Sequence, residues 1–276
     1  LLGTSKLESV SAAANIFLGQ TEAPLLIKPY VTKLTESELF TVMVGGLASV
    51  SGSILVGYSM LGIPIEYLVS ASFMAAPAGL IISKIILPET VKNKDLNGEF
   101  TMVKDDSANI VDAASKGALD GLGLVLNIGA ILLAFVALIA LVNGLIGWVG
   151  NIFGITGLSL EKILGYVFSP IAVAIGVPIK EAVTAGSLIG QKLVLNEFVA
   201  FSNLSPLGSE LSPKTTAIVT LSLCGFANIS SIAILIGGIG GMAPDRKHDI
   251  ARLGWKAVVG GTLANLLSAA RAGMLF

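Results

Sequence analysis

Long apolar runs alternate with short polar interruptions along this chain, and several interruptions fall inside runs rather than between them. Residues 64–88, 118–149 and 248–276 are each long enough for a helix to cross a bilayer, which needs about 20 residues. Residues 36–62 and 213–241 have the same reach but poor centres for a helix. The first contains Gly45-Gly46-Leu47-Ala48-Ser49-Val50-Ser51-Gly52-Ser53, the second Gly225-Phe226-Ala227-Asn228-Ile229-Ser230-Ser231. Glycine costs about 1 kcal/mol per helix position and bares the backbone, so each run is expected to break, the first near Ser49.

Residues 5–32 and 169–203 are built from apolar pieces too short to cross, joined by polar tips. The tips are Gly19-Gln20-Thr21-Glu22-Ala23-Pro24 and Asn196-Glu197-Phe198. Pro24 stands where a second half-helix would begin, and there its missing N–H costs nothing. Two half-helices and a polar tip make a re-entrant hairpin, tolerated at membrane depth only when buried in protein or lining a wet cavity. Residues 89–107 read as a solvated loop and 158–168 as a short interfacial helix.

The order is thus hairpin, broken helix, helix, in residues 1–88 and again in 169–276. The runs Gly46–Gly52 and Gly225–Ser231 align without a gap, each after a hairpin carrying a glutamate, Glu22 or Glu197. Residues 89–168 insert one crossing between the units, so the second enters from the opposite side. The expected fold is an all-α polytopic membrane protein with an inverted repeat, the sequence pointer to a secondary transporter whose ligands bind where the repeats meet. Lys6, Lys33, Lys92, Lys94, Lys104, Arg246 and Lys247 fall on one side, chiefly Lys162 and Lys214 on the other. The positive-inside rule then opens the first hairpin from the cytoplasm and ends Phe276 outside.

Composition agrees. The chain is 54% hydrophobic and 13% charged, against about 25% charged residues in soluble domains, which implies a polytopic membrane protein. A net charge of -1 excludes nucleic acid as a partner, because phosphate binding needs concentrated Lys and Arg. With one cysteine, Cys224, and one histidine, His248, there is no internal disulfide and no CxxC or His-built centre. A membrane-embedded enzyme therefore lacks its usual parts. The chain opens Leu1-Leu2-Gly3 without methionine and is expected to be part of a longer protein with helices before Leu1.

Charges in hydrocarbon cost about 2.5 to 3.5 kcal/mol each on insertion scales and point to function. Gln20, Thr21 and Glu22 offer donors and acceptors for paired polar edges of a ligand. Glu197, Asn228 and Ser231 form a second set suited to a hydroxylated ring, with Phe226 as an apolar wall. A lone Ser or Asn in such a helix otherwise serves to satisfy freed backbone or glue helices, but paired glutamates are a costly way to do so. Helix-end carbonyls near Phe17 and Leu18, with Asn15 and Ser49, supply oxygens for a hard cation, with sodium the hypothesis. Lys180 and Glu181 are expected to be a solvated pair, His248 to be solvated, and Arg271 to snorkel outward.

The stretches Ala14-Asn15-Ile16-Phe17-Leu18-Gly19-Gln20-Thr21-Glu22-Ala23-Pro24, Asn196-Glu197-Phe198-Val199-Ala200 and Cys224-Gly225-Phe226-Ala227-Asn228 closely resemble those of concentrative nucleoside transporters, bacterial members above all. The resemblance covers essentially all 276 residues. It implies a homotrimer in the lipid bilayer whose two hairpins and broken helices move against a scaffold, taking up nucleosides with sodium by alternating access. It further implies nucleobase contacts from Gln20, Thr21, Glu22 and Ile54, ribose contacts from Glu197, Asn228, Ser231 and Phe226, and sodium held by Asn15, Ser49 and the carbonyls of Leu18 and Val50. Proton coupling is the first alternative; a channel or membrane-embedded enzyme is more remote.

Overall fold

A computed structural model describes residues 3–91, 107–208 and 210–276. Most of the expected polar loop, including Lys92, Lys94 and Lys104, lies outside the described residues. The described residues form helices joined by turns and short extended stretches, with no strand among them.

The first hairpin begins with α1 (Lys6–Ala14), closed at its start by the reciprocal Ser5–Glu8 capping pair. After the polar tip the chain returns as a 3-10 stretch, Ala23–Lys33, rather than an α-helix. Pro24 lies in its first turn, and Pro29 inside it cannot donate the bond an α-helix would need there. Thr35 and Glu38 then cap α2 (Glu36–Ala48). The chain is extended at Ser49 and at Ser51, on either side of Val50, and resumes as α3 (Gly52–Met60), so the break falls where the glycine–serine run lies. α4 (Ile65–Ile86) follows. Among the described residues two stretches have the length and composition to cross a membrane, Glu36–Met60 taken through its break and Ile65–Ile86.

The middle of the chain departs from expectation. α5 (Ile110–Ile152) is capped by Asn109 and starts well before residue 118; its 43 residues extend about 65 Å at 1.5 Å per residue. α6 (Leu160–Ala174) runs straight through the boundary expected between residues 168 and 169. The reason is local. Pro170 leaves the Tyr166 carbonyl without its backbone donor, and the Ser169 hydroxyl donates to it instead at 3.1 Å, so the helix survives its proline. The chain turns only at Gly176, whose φ of 103° lies in the left-handed region.

The second hairpin therefore starts later than residue 169. It comprises a 3-10 turn Ile179–Glu181, α7 (Ala182–Val194) and α8 (Glu197–Leu204). Lys180 and Glu181 are not a solvated pair: Glu181 accepts from the backbone N–H and hydroxyl of Ser212, at 3.2 and 2.8 Å. The Thr215 hydroxyl above all, and then these Ser212 bonds, hold the Glu181 carboxyl below the usual range. α9 (Pro213–Leu223) breaks at Cys224–Ser230, α10 (Ser231–Met242) continues, and α11 (Lys247–Gly273) ends the chain.

Two apolar cores hold these elements. One joins α2 to α11 through Phe40, Met43, Leu47, Leu253 and Val258; the other gathers Tyr58, Leu188, Phe201 and Ile218. α11 approaches α2 closely because Gly260 and Gly261 face Val44 and Leu47, where a β-carbon would lie 2.8 and 2.9 Å away, the small-residue packing membrane helices favour. Arg246, at the start of α11, donates to the Leu34 carbonyl at 2.7 Å beside the base of the first hairpin. Ser205, at the base of the second, donates to the Leu61 carbonyl just beyond α3 at 2.5 Å.

Candidate functional site

The first tip is fastened from two sides. Gly52 N–H, at the start of α3, donates to the Phe17 carbonyl at 2.9 Å, and the Ser72 hydroxyl of α4 donates to the Ile16 carbonyl at 2.5 Å. Gln20 is buried against Gly46, with its Oε1 unpartnered. Thr21 reaches across to Gly238 of α10, so this tip touches the second half of the chain. A cleft of about 410 Å³ opens beside it, walled by Gln20, Thr21 and Glu22 from the tip, Ser51, Ser53 and Ile54 from the break and α3, and Phe226 and Ile234 from the second half. All four residues assigned to the nucleobase thus line one cleft, together with Phe226.

The second tip is organised by Asn196, whose side chain accepts from Val199 N–H at 2.9 Å and caps α8. Glu197, in the first turn of α8, is buried. Its Oε2 accepts from Asn228 Nδ2 at 3.0 Å and its Oε1 from Tyr58 at 3.4 Å. Asn228 Oδ1 in turn accepts from the Ser231 hydroxyl and N–H, both at 3.0 Å, and from the Ser230 hydroxyl at 2.7 Å. The single Ser231 hydroxyl proton is shared with the Phe226 carbonyl, 2.5 Å away. Of the four residues assigned to ribose, Glu197, Asn228 and Ser231 form one network set behind the cleft wall, and Phe226 lines the cleft itself.

The two helix breaks meet. Phe226 N–H donates to the Ser49 carbonyl at 3.3 Å, and Asn265 of α11 donates to the carbonyls of Ala48 and Cys224 at 2.6 and 3.0 Å. Beside the first break, Asn15 is buried against Gly45 with both amide atoms unpartnered. A buried amide without partners is costly, and its Oδ1 is free to ligate. Ser49 donates its hydroxyl proton to the Gly45 carbonyl at 3.0 Å, which leaves oxygen lone pairs for a cation. The donor set is neutral oxygen, as suits a hard monovalent ion. Leu18 lines the cleft and Val50 is fully buried beside the break.

Three participants escaped the sequence reading: Tyr58, Lys192 and Asn265. Lys192 and Asn265 carried a signal, since a polar or charged group in an apolar hairpin arm or final span is itself a reason to look. Tyr58 carried none, being one aromatic among many until the fold sets it against Glu197.

Polar groups gathered at two helix breaks and two hairpin tips within an apolar helical bundle define a protein of the membrane-transporter class. Comparison with known proteins narrows the class. A family model described as Na+ dependent nucleoside transporter C-terminus matches residues 67–273. The chain is 63% identical over 275 residues to an uncharacterized transporter of Bacillus subtilis, covering 99% of this chain and 68% of that protein. It is 50% identical over 278 residues to the nucleoside permease NupC of Helicobacter pylori, covering 99% and 66%. It superposes on CNTnw in an inward-facing substrate-bound state with a TM-score of 0.92 and 55% identity, covering 99% of this chain and 65% of that one. Substituted variants of CNTnw have been solved in outward-facing and intermediate states. The chain belongs to the concentrative, Na+ dependent nucleoside transporter family. It spans about two thirds of the length of these relatives. They are transporters and permeases, not enzymes, and the family is one of membrane proteins.

Proposed function

We propose that this chain carries the substrate and ion sites of a sodium-driven nucleoside symporter that works by alternating access. The observation that carries the reading is the meeting of two polar sets from opposite halves of the chain: the cleft of Gln20, Thr21, Glu22 and Ile54, and the buried Glu197–Asn228–Ser231 network behind Phe226. Gln20, Thr21 and Glu22 read the nucleobase, with Ile54 packed on it. Glu197 and Asn228, supported by Ser231, take the ribose hydroxyls. Tyr58 keeps the Glu197 carboxylate aimed.

Asn15, Ser49 and the carbonyls of Leu18 and Val50 hold sodium, which supplies a positive charge at the end of α2. The Gly52-to-Phe17 bond ties the first tip to the first break, so ordering one orders the other, which is positive coupling between two sites. The family description names the ion, and CNTnw structures in inward-facing, outward-facing and intermediate states support the alternating mechanism.

Residues 1–88 and 169–276 act as inverted repeats, with the second hairpin proper in 179–204. Two observations support this. Each break is tied by a backbone N–H to its own hairpin, Gly52 to Phe17 and Ile229 to Leu193. The second hairpin's base is tied through Ser205 to the Leu61 carbonyl at the end of α3, while the first hairpin's base runs directly into the start of α2, where Arg246 holds the Leu34 carbonyl. α5 belongs to the scaffold of a homotrimer in the plasma membrane. The contact of Arg246 with the Leu34 carbonyl sets Arg246 on the side of the first hairpin's base, in keeping with a cytoplasmic opening and Phe276 outside.

Replacing sodium by choline is expected to lower uridine uptake into proteoliposomes by at least about tenfold at every pH tested, within the usual range of coupling energies. Undiminished uptake in sodium-free buffer under a proton gradient would assign the coupling to protons; flux without any counter-ion would indicate a channel. Gln20→Ala removes one or two hydrogen bonds to the base and should shift the ratio of purine to pyrimidine uptake by roughly fivefold. An unchanged ratio in competition assays would place the base elsewhere.

A further inference from the structure

Lys192, in the last turn of α7, is 1% exposed. Among the described residues no carboxylate lies within ion-pair distance of it. Its ammonium donates instead to the Ser222 carbonyl at 3.0 Å and to Asn265 Oδ1 at 2.6 Å. With its oxygen engaged, Asn265 must turn its amide NH2 the other way, onto the carbonyls of Ala48 and Cys224. Ala48 ends α2, while Ser222 and Cys224 flank the end of α9. The carbonyl ends of both broken helices therefore converge on one amide and one ammonium.

Such ends carry partial negative charge and attract cations. At the first break the residues offered to a cation are an unpartnered Asn15 and a serine oxygen, so the charge must come from solution. At the second break the charge is already attached to the chain.

We propose that the Lys192 ammonium is the resident cation of the second break, a positioning residue for the Asn228–Ser231 run, with Asn265 linking it to the carbonyl end of the first broken helix. The parallel with the first break rests on the sodium reading above; the contacts of Lys192 do not. Lys192 pins the end of α9 to the end of α7. The next residue, Leu193, accepts from Ile229 N–H at 3.2 Å. That bond sets the path of the chain on which Asn228 and Ser231 meet Glu197. Lys192 thus fixes the ribose network without touching a ligand.

Lys192→Ala leaves a hole lined by the Ser222 carbonyl and Asn265 Oδ1, open to a small cation. Lys192→Met fills the same space without charge. Uridine affinity of the purified intact transporter in sodium buffer, measured calorimetrically, should fall at least about tenfold in both variants, the scale for losing hydrogen bonds to a charged group. Methylammonium chloride, against choline chloride at equal concentration, should restore most of that loss in Lys192→Ala and change neither Lys192→Met nor the wild type. Wild-type affinity in either folded variant, or a loss in Lys192→Ala that methylammonium leaves untouched, overturns the proposal. Should Lys192→Ala not fold, Lys192→Met decides by itself: unchanged affinity overturns, a tenfold loss supports. The same titration without sodium separates the two readings, because a wild type whose uridine affinity ignores sodium refutes the sodium site while leaving the Lys192 comparison intact.

Discussion

Glu197→Gln lowers uridine affinity and uptake by about 100-fold, or roughly 3 kcal/mol, while the protein stays folded in the membrane. Glutamine has nearly the same shape as the carboxylate it replaces. Its remaining carbonyl oxygen can still accept from Asn228 Nδ2, and its new NH2 can donate to Tyr58, whose hydroxyl turns to accept. The network's geometry therefore survives. What disappears is the charge, and with it the stronger, charge-assisted bonds to two ribose hydroxyls. Asn228→Ala abolishes uptake as well, but it also deprives Ser230, Ser231 and Glu197 of a partner, so its effect mixes folding with recognition. Isothermal titration of uridine with wild type and Glu197→Gln, both monodisperse after purification, reads the charge alone. Equal affinities would remove Glu197 from the ribose site.

The polar tips and the breaks were legible in the sequence because their cost is local. Gln20-Thr21-Glu22 and Asn196-Glu197 are expensive in an apolar run wherever the run folds, and Gly45–Ser53 is a poor helix whatever packs on it. The end of α6 was illegible because what decides it is a side-chain bond: Ser169 supplies the donor that Pro170 removes, and the helix continues to Ala174. The 3-10 character of the return from the first tip depends on Pro29, an effect on type rather than position. Tyr58 could not be assigned because its partner lies 139 residues away and is chosen by the packing of α3 on the second hairpin. Asn265 is a single amide in the last span, and only the convergence of two carbonyl ends upon it shows that it closes both breaks. Local penalties can be read from a chain, whereas satisfaction of those penalties by distant groups needs the fold.

Gly225→Ala should destabilise the protein more than any other single methyl addition at the breaks. A β-carbon there would lie 2.3 Å from Asn265 Oδ1, 2.7 Å from its Nδ2 and 2.8 Å from the Ala48 carbonyl. None of these groups can retreat cheaply. Asn265 is held on one side by Lys192 and on the other by two carbonyls, and Ala48 sits at the end of a buried helix. Displacing Asn265 strands the carbonyls of Ala48 and Cys224 and removes one of the two acceptors of a buried ammonium. Each stranded carbonyl costs about 1–3 kcal/mol, so the expected loss is about 2–6 kcal/mol and the melting temperature should fall by roughly 10 °C. Gly237→Ala is the control, since no heavy atom lies within 4 Å of its added carbon and alanine suits a helix better than glycine. Thermal unfolding of the two variants in detergent, side by side with wild type, makes the comparison. If Gly225→Ala melts with Gly237→Ala, the Asn265 bridge does not hold the two breaks together, and the Lys192 proposal loses its link to the first of them.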